Sequence, residues 1–152
     1  MRISAKADYA VRASIELATS DTLKPIKGER LADAQKIPLR FLENILGELK
    51  HAGLVQSQRG AEGGYWLSRP ADDITVAEII RAVEGPLASV RGERPEDLEY
   101  HGASEPLQII WIALRANLRD VLEAATLADI VTGDLPHELV KLAATPEVWQ
   151  PH

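Results

Sequence analysis

The spacing of apolar positions changes period within the first 70 residues. From Ser4 onward, Ala7, Ala10, Val11 and Ala18 recur at helical spacing, with Leu17 alongside and Ser14 on the same face. Ser4 suits the N-cap, where a hydroxyl accepts an otherwise unpaired amide. The Ser14 hydroxyl can bond back to a carbonyl one turn earlier. This run ends near Thr19–Ser20–Asp21, and Lys24–Pro25–Ile26 is an extended connector. Gly28 to Lys36 predicts a short helix carrying Leu31, Ala32 and Ala34, broken at Ile37–Pro38. A second helix follows from about Pro38 to Ala52, with Leu42, Ile45, Leu46 and Leu49 as its stripe and Gly53 as its stop. The period then drops towards two. Leu54–Gln58 and Tyr65–Ser68 flank the glycine-rich turn Arg59–Gly64, which predicts a β-hairpin. Helix, short helix, longer helix, hairpin is the order of a winged helix-turn-helix.

Thr75 and Glu78 match a capping box, followed by Ile79, Ile80, Ala82 and Val83 in a helix that ends near Gly85–Pro86. Residues 87–104 are polar, acidic and rich in Gly and Pro, and are expected to form a loop long enough to be functional or mobile. Glu105–Pro106 opens a long helix to about Ala125. It bears Ile109, Ile110, Trp111, Ile112, Leu114, Leu118, Val121 and Leu122, an apolar load suited to a core or a dimer interface. Thr126–Asp129 resembles another capped start, and a short helix is expected around Glu138–Ala144. The expected fold is mainly α with a small β-hairpin wing. The winged helix-turn-helix spans 1–85, a loop 86–104, a dimerisation helix with a short follower 105–133, and a tail 134–152.

The chain has 152 residues, 45% of them apolar and 26% charged, which describes a globular protein. It has no cysteine, which excludes disulfides, thiolate metal sites and cysteine nucleophiles. No signal peptide and no apolar run near ~20 residues is seen, so the expected setting is cytoplasmic, with no membrane partner. Net charge is −6, which on its face disfavours a nucleic acid. The distribution changes that picture. Residues 1–70 hold 11 basic and 8 acidic side chains, and residues 71–152 hold 6 and 15. The first half can meet phosphates, and the second should face away. No nucleophile elbow, P-loop, HExxH or dinucleotide fingerprint is present, so no enzyme activity is expected.

In a helix-turn-helix the N-terminal residues of the second helix meet the base edges of the major groove. Here these are Leu39, Arg40, Phe41, Glu43 and Asn44. Arg40 can donate to guanine or phosphate, Glu43 can accept from the cytosine amino group, and Asn44 can pair with adenine. Lys50 lies further along the same helix. Arg59 stands beside Gly60 on the hairpin turn, where an arginine suits the narrow, electronegative minor groove. Arg2 and Lys6, at the start of the first helix, are candidates for phosphate contact. Each side chain also has an ordinary role as a solvated charge; the combination and order carry the DNA reading. Against it stands an interaction module: winged helices also serve as protein–protein adaptors without DNA binding, and the acidic second half suits one.

The segments Met1–Ala10, Ile37–Leu46, Leu49–Val55 and Arg59–Leu67, the last reading ArgGlyAlaGluGlyGlyTyrTrpLeu, resemble the Rrf2 family of bacterial regulators, which includes the IscR, NsrR and CymR types. The resemblance covers residues 1–85 strongly and 105–132 by pattern. It implies a winged helix, a long dimerisation helix and a homodimeric repressor bound to near-palindromic promoter DNA. It also implies that Glu43 and Arg59 match the family's recognition-helix glutamate and wing arginine. Many members carry three cysteines in the loop before the dimerisation helix, holding an iron–sulfur cluster. Residues 89–104 contain none, and Glu105 stands about where the last cysteine would fall. Asp8 occupies the region where some members supply a carboxylate ligand; here it is expected to be a first-turn carboxylate. His101, among Glu93, Glu96, Asp97 and Glu99, is expected to hold no metal. The expected protein has no cofactor, and any effector would be a small molecule or a protein. His51 is expected to cap carbonyls or touch phosphate. His137 and His152 are expected to be exposed, and Trp66 to pack the wing. Trp149 would dock on its own domain or on a partner subunit.

Overall fold

The structure is a computed structural model describing residues 1–20 and 24–151. Asp21, at the expected end of the first helix, and His152 lie outside the described residues. Helix α1 spans Ala5–Ala18, α2 Gly28–Gln35 and α3 Leu39–His51; strands β1 Val55–Gln58 and β2 Gly64–Leu67 form the wing. Helix α4 spans Val76–Glu84, α5 Leu107–Ala124, α6 Leu127–Thr132 and α7 His137–Ala143.

The caps explain most boundaries. The Ser4 hydroxyl accepts from the Ala7 amide at 3.0 Å. Thr75–Glu78 and Thr126–Asp129 both form complete capping boxes. Helix α2 ends differently. Its C-cap, Lys36, takes a left-handed conformation with φ 53°, and the Ile37 amide donates back to the Ala32 carbonyl at 2.9 Å. The chain thereby reverses into α3 while Ile37 is buried.

The core is built from one stripe of each element. Helix α1 contributes Ala7, Ala10, Ala13, Ser14 and Leu17. The Ser14 hydroxyl donates to the Ala10 carbonyl at 2.8 Å, so its one buried polar group is paired. Small side chains on this helix admit Leu42, Ile45, Leu46 and Leu49 of α3, with Leu31, Val55, Leu67, Ile74, Ile79 and Val83 around them. Val11 and Ala18, expected on the buried face, are only partly buried. Leu127 of α6 is fully buried in the same core. Two backbone bonds explain its return: Val76 N–H donates to Ala125 O, and Leu127 N–H to Ile74 O, each at 3.0 Å. The winged-helix core therefore draws on residues beyond α5.

Residues 87–104 are packed rather than merely solvated. Leu87, Pro95 and Leu98 are buried, and two 3-10 turns cover 95–97 and 102–104. The Gln108 amide donates to the carbonyls of Pro95, Glu96 and Leu98 at 3.2, 3.3 and 2.8 Å. Three isolated apolar anchors in a polar stretch leave no periodicity to read, so the docking is invisible in the pattern.

Helix α5 has no buried residue. Its apolar side chains divide between two faces. Trp111, Leu114, Leu118 and Leu122 are half-buried and line a groove with Met1, Ile3 and Ile80. Ile109, Ile110 and Val121 are 70%, 58% and 37% exposed. The Trp111 indole donates to the Tyr100 hydroxyl at 3.0 Å. In the tail, Trp149 is 77% exposed and its indole donates to the Ala143 carbonyl at 2.5 Å, closing the end of α7. No helix of the described residues is long and apolar enough to cross a membrane.

Candidate nucleic-acid interface

Helix α3 buries Leu42, Ile45, Leu46 and Leu49 and leaves Arg40, Glu43, Asn44, Gly47 and Lys50 exposed. The 3.6-residue period alone produces that division. Its mount is specific. Arg12 of α1 donates to the Gln35 carbonyl at the end of α2, while its guanidinium lies 5.3 Å from the centre of the Tyr9 ring. Tyr9 meets Phe41 edge-on, with ring centres 5.7 Å apart. Phe41, 42% exposed, is thus held on α1, which sets the rotation of the α3 N-terminus. Lys6 pairs with Glu48 at 2.8 Å and ties the same two helices. Leu39 is 36% exposed at the first position of α3.

The wing is antiparallel, with Val55 opposite Leu67, Gln56 opposite Trp66, Ser57 opposite Tyr65 and Gln58 opposite Gly64. Ile26 adds a bridge to Tyr65, exchanging N–H···O bonds of 2.9 and 2.8 Å. This close approach requires Gly64. Its φ is +149°, and a Cβ there would stand 2.5 Å from the Ile26 carbonyl oxygen. The turn is anchored from outside as well: the Lys27 ammonium donates to the Gly60 carbonyl at 2.6 Å. Gly60 has φ +104°. Trp66 is half-buried and Leu67 buried, as alternation requires.

These elements bring Glu43, Lys50 and Arg59 around one cleft of about 320 Å³ between α3 and the wing, together with Gly47, Ser57 and Gln58. The Lys50 ammonium donates to the Ser57 hydroxyl at 2.8 Å, bracing the helix against β1. Arg40 and Asn44 are exposed on the helix that forms one wall. Arg2 is placed elsewhere: it lines the groove beneath α5 with Ser4 and Glu84, whose side chains are hydrogen-bonded. Sequence reasoning missed Ser57, Gln58 and Lys27. Alternation on β1 points to its outward residues, but Lys27 is brought to the wing only by the Ile26–Tyr65 bridge.

The first-turn carboxylate Asp8 pairs with Arg12 at 3.1 Å. His51 and His137 are exposed, as is His101.

A family model described as Rrf2, iron-dependent transcriptional regulator, matches residues 3–133. The chain belongs to the Rrf2 family. It is 50% identical over 143 residues to an HTH-type transcriptional regulator of Mycobacterium tuberculosis, covering 94% of this chain and 89% of the relative. It is 35% identical over 135 residues to CymR of Bacillus subtilis, covering 87% and 91%. Solved Rrf2-type structures superpose closely. The structure of CymR, the global cysteine regulator of B. subtilis, gives a TM-score of 0.72 at 34% identity, over 87% of this chain and 97% of that one. T. potens IscR gives 0.71 at 31% identity, over 88% of each. The chain is a winged-helix, DNA-binding transcriptional regulator of this family.

The donor set of this chain does not match the iron dependence in the family's description. There is no thiolate anywhere in the chain. Among the described residues no group of three His, Asp or Glu side chains stands ready for a metal. Glu96, in the segment that carries cysteines in many relatives, is taken by Arg115. These residues do not fit a thiolate-held iron–sulfur cluster.

Proposed function

We propose that this Rrf2 protein is a homodimeric, sequence-specific repressor that occupies near-palindromic promoter sites without an iron–sulfur cluster. The observation that carries the DNA reading is the shared cleft of α3 and wing, with Glu43, Lys50 and Arg59 around it. Helix α3 enters the major groove, with Arg40, Glu43 and Asn44 at base edges and Leu39 and Phe41 in apolar contact beside them. Arg59, next to Gly60, reaches the flanking minor groove. Lys6 and Lys50 contact phosphate, whereas Arg2, turned towards α5, is left out of the contact. A two-fold dimer presents two such units, so its operator would share that symmetry.

The dimer reading rests on α5. An 18-residue helix with no buried residue and with Ile109, Ile110 and Val121 in the open calls for a partner surface. Trp111, Leu114, Leu118 and Leu122 complete the proposed contact from its other face. Selection of bound sequences from a random duplex library tests the whole reading. A two-fold symmetric motif supports it. Retention of no motif, with salt-insensitive binding, would favour a protein–protein adaptor instead.

A further inference from the structure

Residues 71–152 carry only six basic side chains among fifteen acidic ones. Four of those six, Arg81, Arg94, Arg115 and Arg119, line a single pocket of about 450 Å³. They come from three separate segments. Arg81 lies on α4, Arg94 on the segment between α4 and α5, and Arg115 and Arg119 on α5. Gly85, Pro86 and Leu87 form its uncharged wall. Chance scattering of cations on an acidic surface does not favour such a gathering. Arg115 and Arg119, at i and i+4, repel each other on the helix face.

The carboxylates present offset only part of this charge. Glu96 pairs with Arg115, and Glu123 with both Arg81 and Arg119. Arg94 is exposed and makes no ion pair among the described residues. Four guanidinium groups against two carboxylates leave a local surplus of two positive charges in a half that is strongly negative. The volume lies in the range of small-molecule sites, about 300–1,000 Å³. Guanidinium groups present planar pairs of N–H donors that match carboxylate and phosphoryl oxygens.

We propose that this pocket is a binding site for a small dianion, a molecule bearing two neighbouring oxyanionic groups of the phosphoryl or carboxylate kind. The surplus charge matches a dianion. The guanidinium forks of Arg94 and of Arg119, whose longer 3.4 Å pair with Glu123 is shared with Arg81, take up its oxygens, while Arg81 and Arg115 stay held by their glutamates. A bound dianion bridges α4, the last helix of the winged domain, to α5. The site shares no residue with the α3–wing cleft, so the inference does not rest on the DNA reading.

Calorimetric titration of the full chain with pyrophosphate and, separately, with succinate at fixed ionic strength tests it. At least one is expected to bind at one site per chain with a Kd no weaker than about 1 mM. Which of the two binds assigns phosphoryl or carboxylate chemistry. R94A, at an exposed position without an ion pair, is expected to weaken binding about fivefold, and R94A/R119A at least about tenfold. Arg59→Ala should leave it unchanged. Several results would overturn the proposal: no binding of either probe, equal binding by R94A/R119A whose melting is otherwise like the parent's, or loss of binding in Arg59→Ala. So would silent titrations combined with a changed oligomeric state of R94A/R119A, which would assign the arginines to carboxylates of a second copy.

Discussion

Single residues at the interface divide into those that touch only solvent and those already committed to the protein. Arg59 belongs to the first group: it is exposed at the wing turn, with no ion pair among the described residues. Arg59→Ala should therefore leave thermal stability within about 0.5 kcal/mol. It should weaken operator binding about tenfold and relax preference at A·T-rich flanks. Fluorescence anisotropy at fixed salt measures this, and unchanged affinity would refute the wing contact. Glu43 is equally exposed on α3, so Glu43→Ala should broaden base preference without abolishing binding. Identical motifs selected from a random library by both proteins would contradict that role. Lys36 carries a different burden, a left-handed backbone with a side chain attached. Lys36→Gly removes that strain, offset partly by the looser unfolded chain, and should stabilise the protein by about 0.5–1 kcal/mol. A lower urea midpoint would count against it.

At the level of elements, the caps couple stability to pH. Burial pushes the Glu78 carboxyl up, but the hydrogen bond from Arg69, the Thr75 amide and the Arg69 charge together outweigh it, and the group titrates below its ordinary 4.5. The Arg69 guanidinium is held protonated chiefly by that same hydrogen bond. A carboxyl depressed in the folded state contributes stability that is fully present above its unfolded pKa. That contribution is lost as pH falls through the lower folded value. Stability should thus decline below about pH 4.5, and Glu78→Gln should flatten this acid limb. Urea midpoints measured from pH 3 to 7 decide it; an unaltered slope would show that the box contributes nothing pH-dependent. Much of this level was legible beforehand. Ser4, Thr75 and Thr126 announce their helices because a capping oxygen must stand at a set distance from its amide. The docking of 87–104 was not legible, since Gln108 serves carbonyls ten to thirteen residues away and no local rule links them.

For the molecule as a whole, charge is segregated along the chain, and the proposed dimer rests on α5. Ile110 is 58% exposed, so Ile110→Glu costs the isolated protomer little while placing a charge in the proposed dimer contact. Size-exclusion chromatography with light scattering should show a shift from dimer to monomer, and operator affinity should fall with it. A variant that stays dimeric would move the interface to another face. The long-range assembly of the proposed DNA-reading surface was only half legible. Glu43, Lys50 and Arg59 could be named from motif and period, but their convergence depends on the Ile26–Tyr65 bridge and on Phe41 against Tyr9. Arg2 shared the charge and position expected of a phosphate contact, yet the chain path turns it towards α5 and Glu84.

The sequence by itself determined the elements, their order, their caps and the family, because each depends on spacings of a few residues or on motifs read in line. It also excluded thiolate ligation, since that depends on residue type alone. Tertiary structure decided what contacts at long separation decide. It placed Leu127 in the winged-helix core, folded 87–104 against α5, and divided α5 into a half-buried face and an open one. It also gathered Arg81, Arg94, Arg115 and Arg119 from three segments into one pocket. Periodicity tells which face of a helix is apolar. Only packing tells what that face meets.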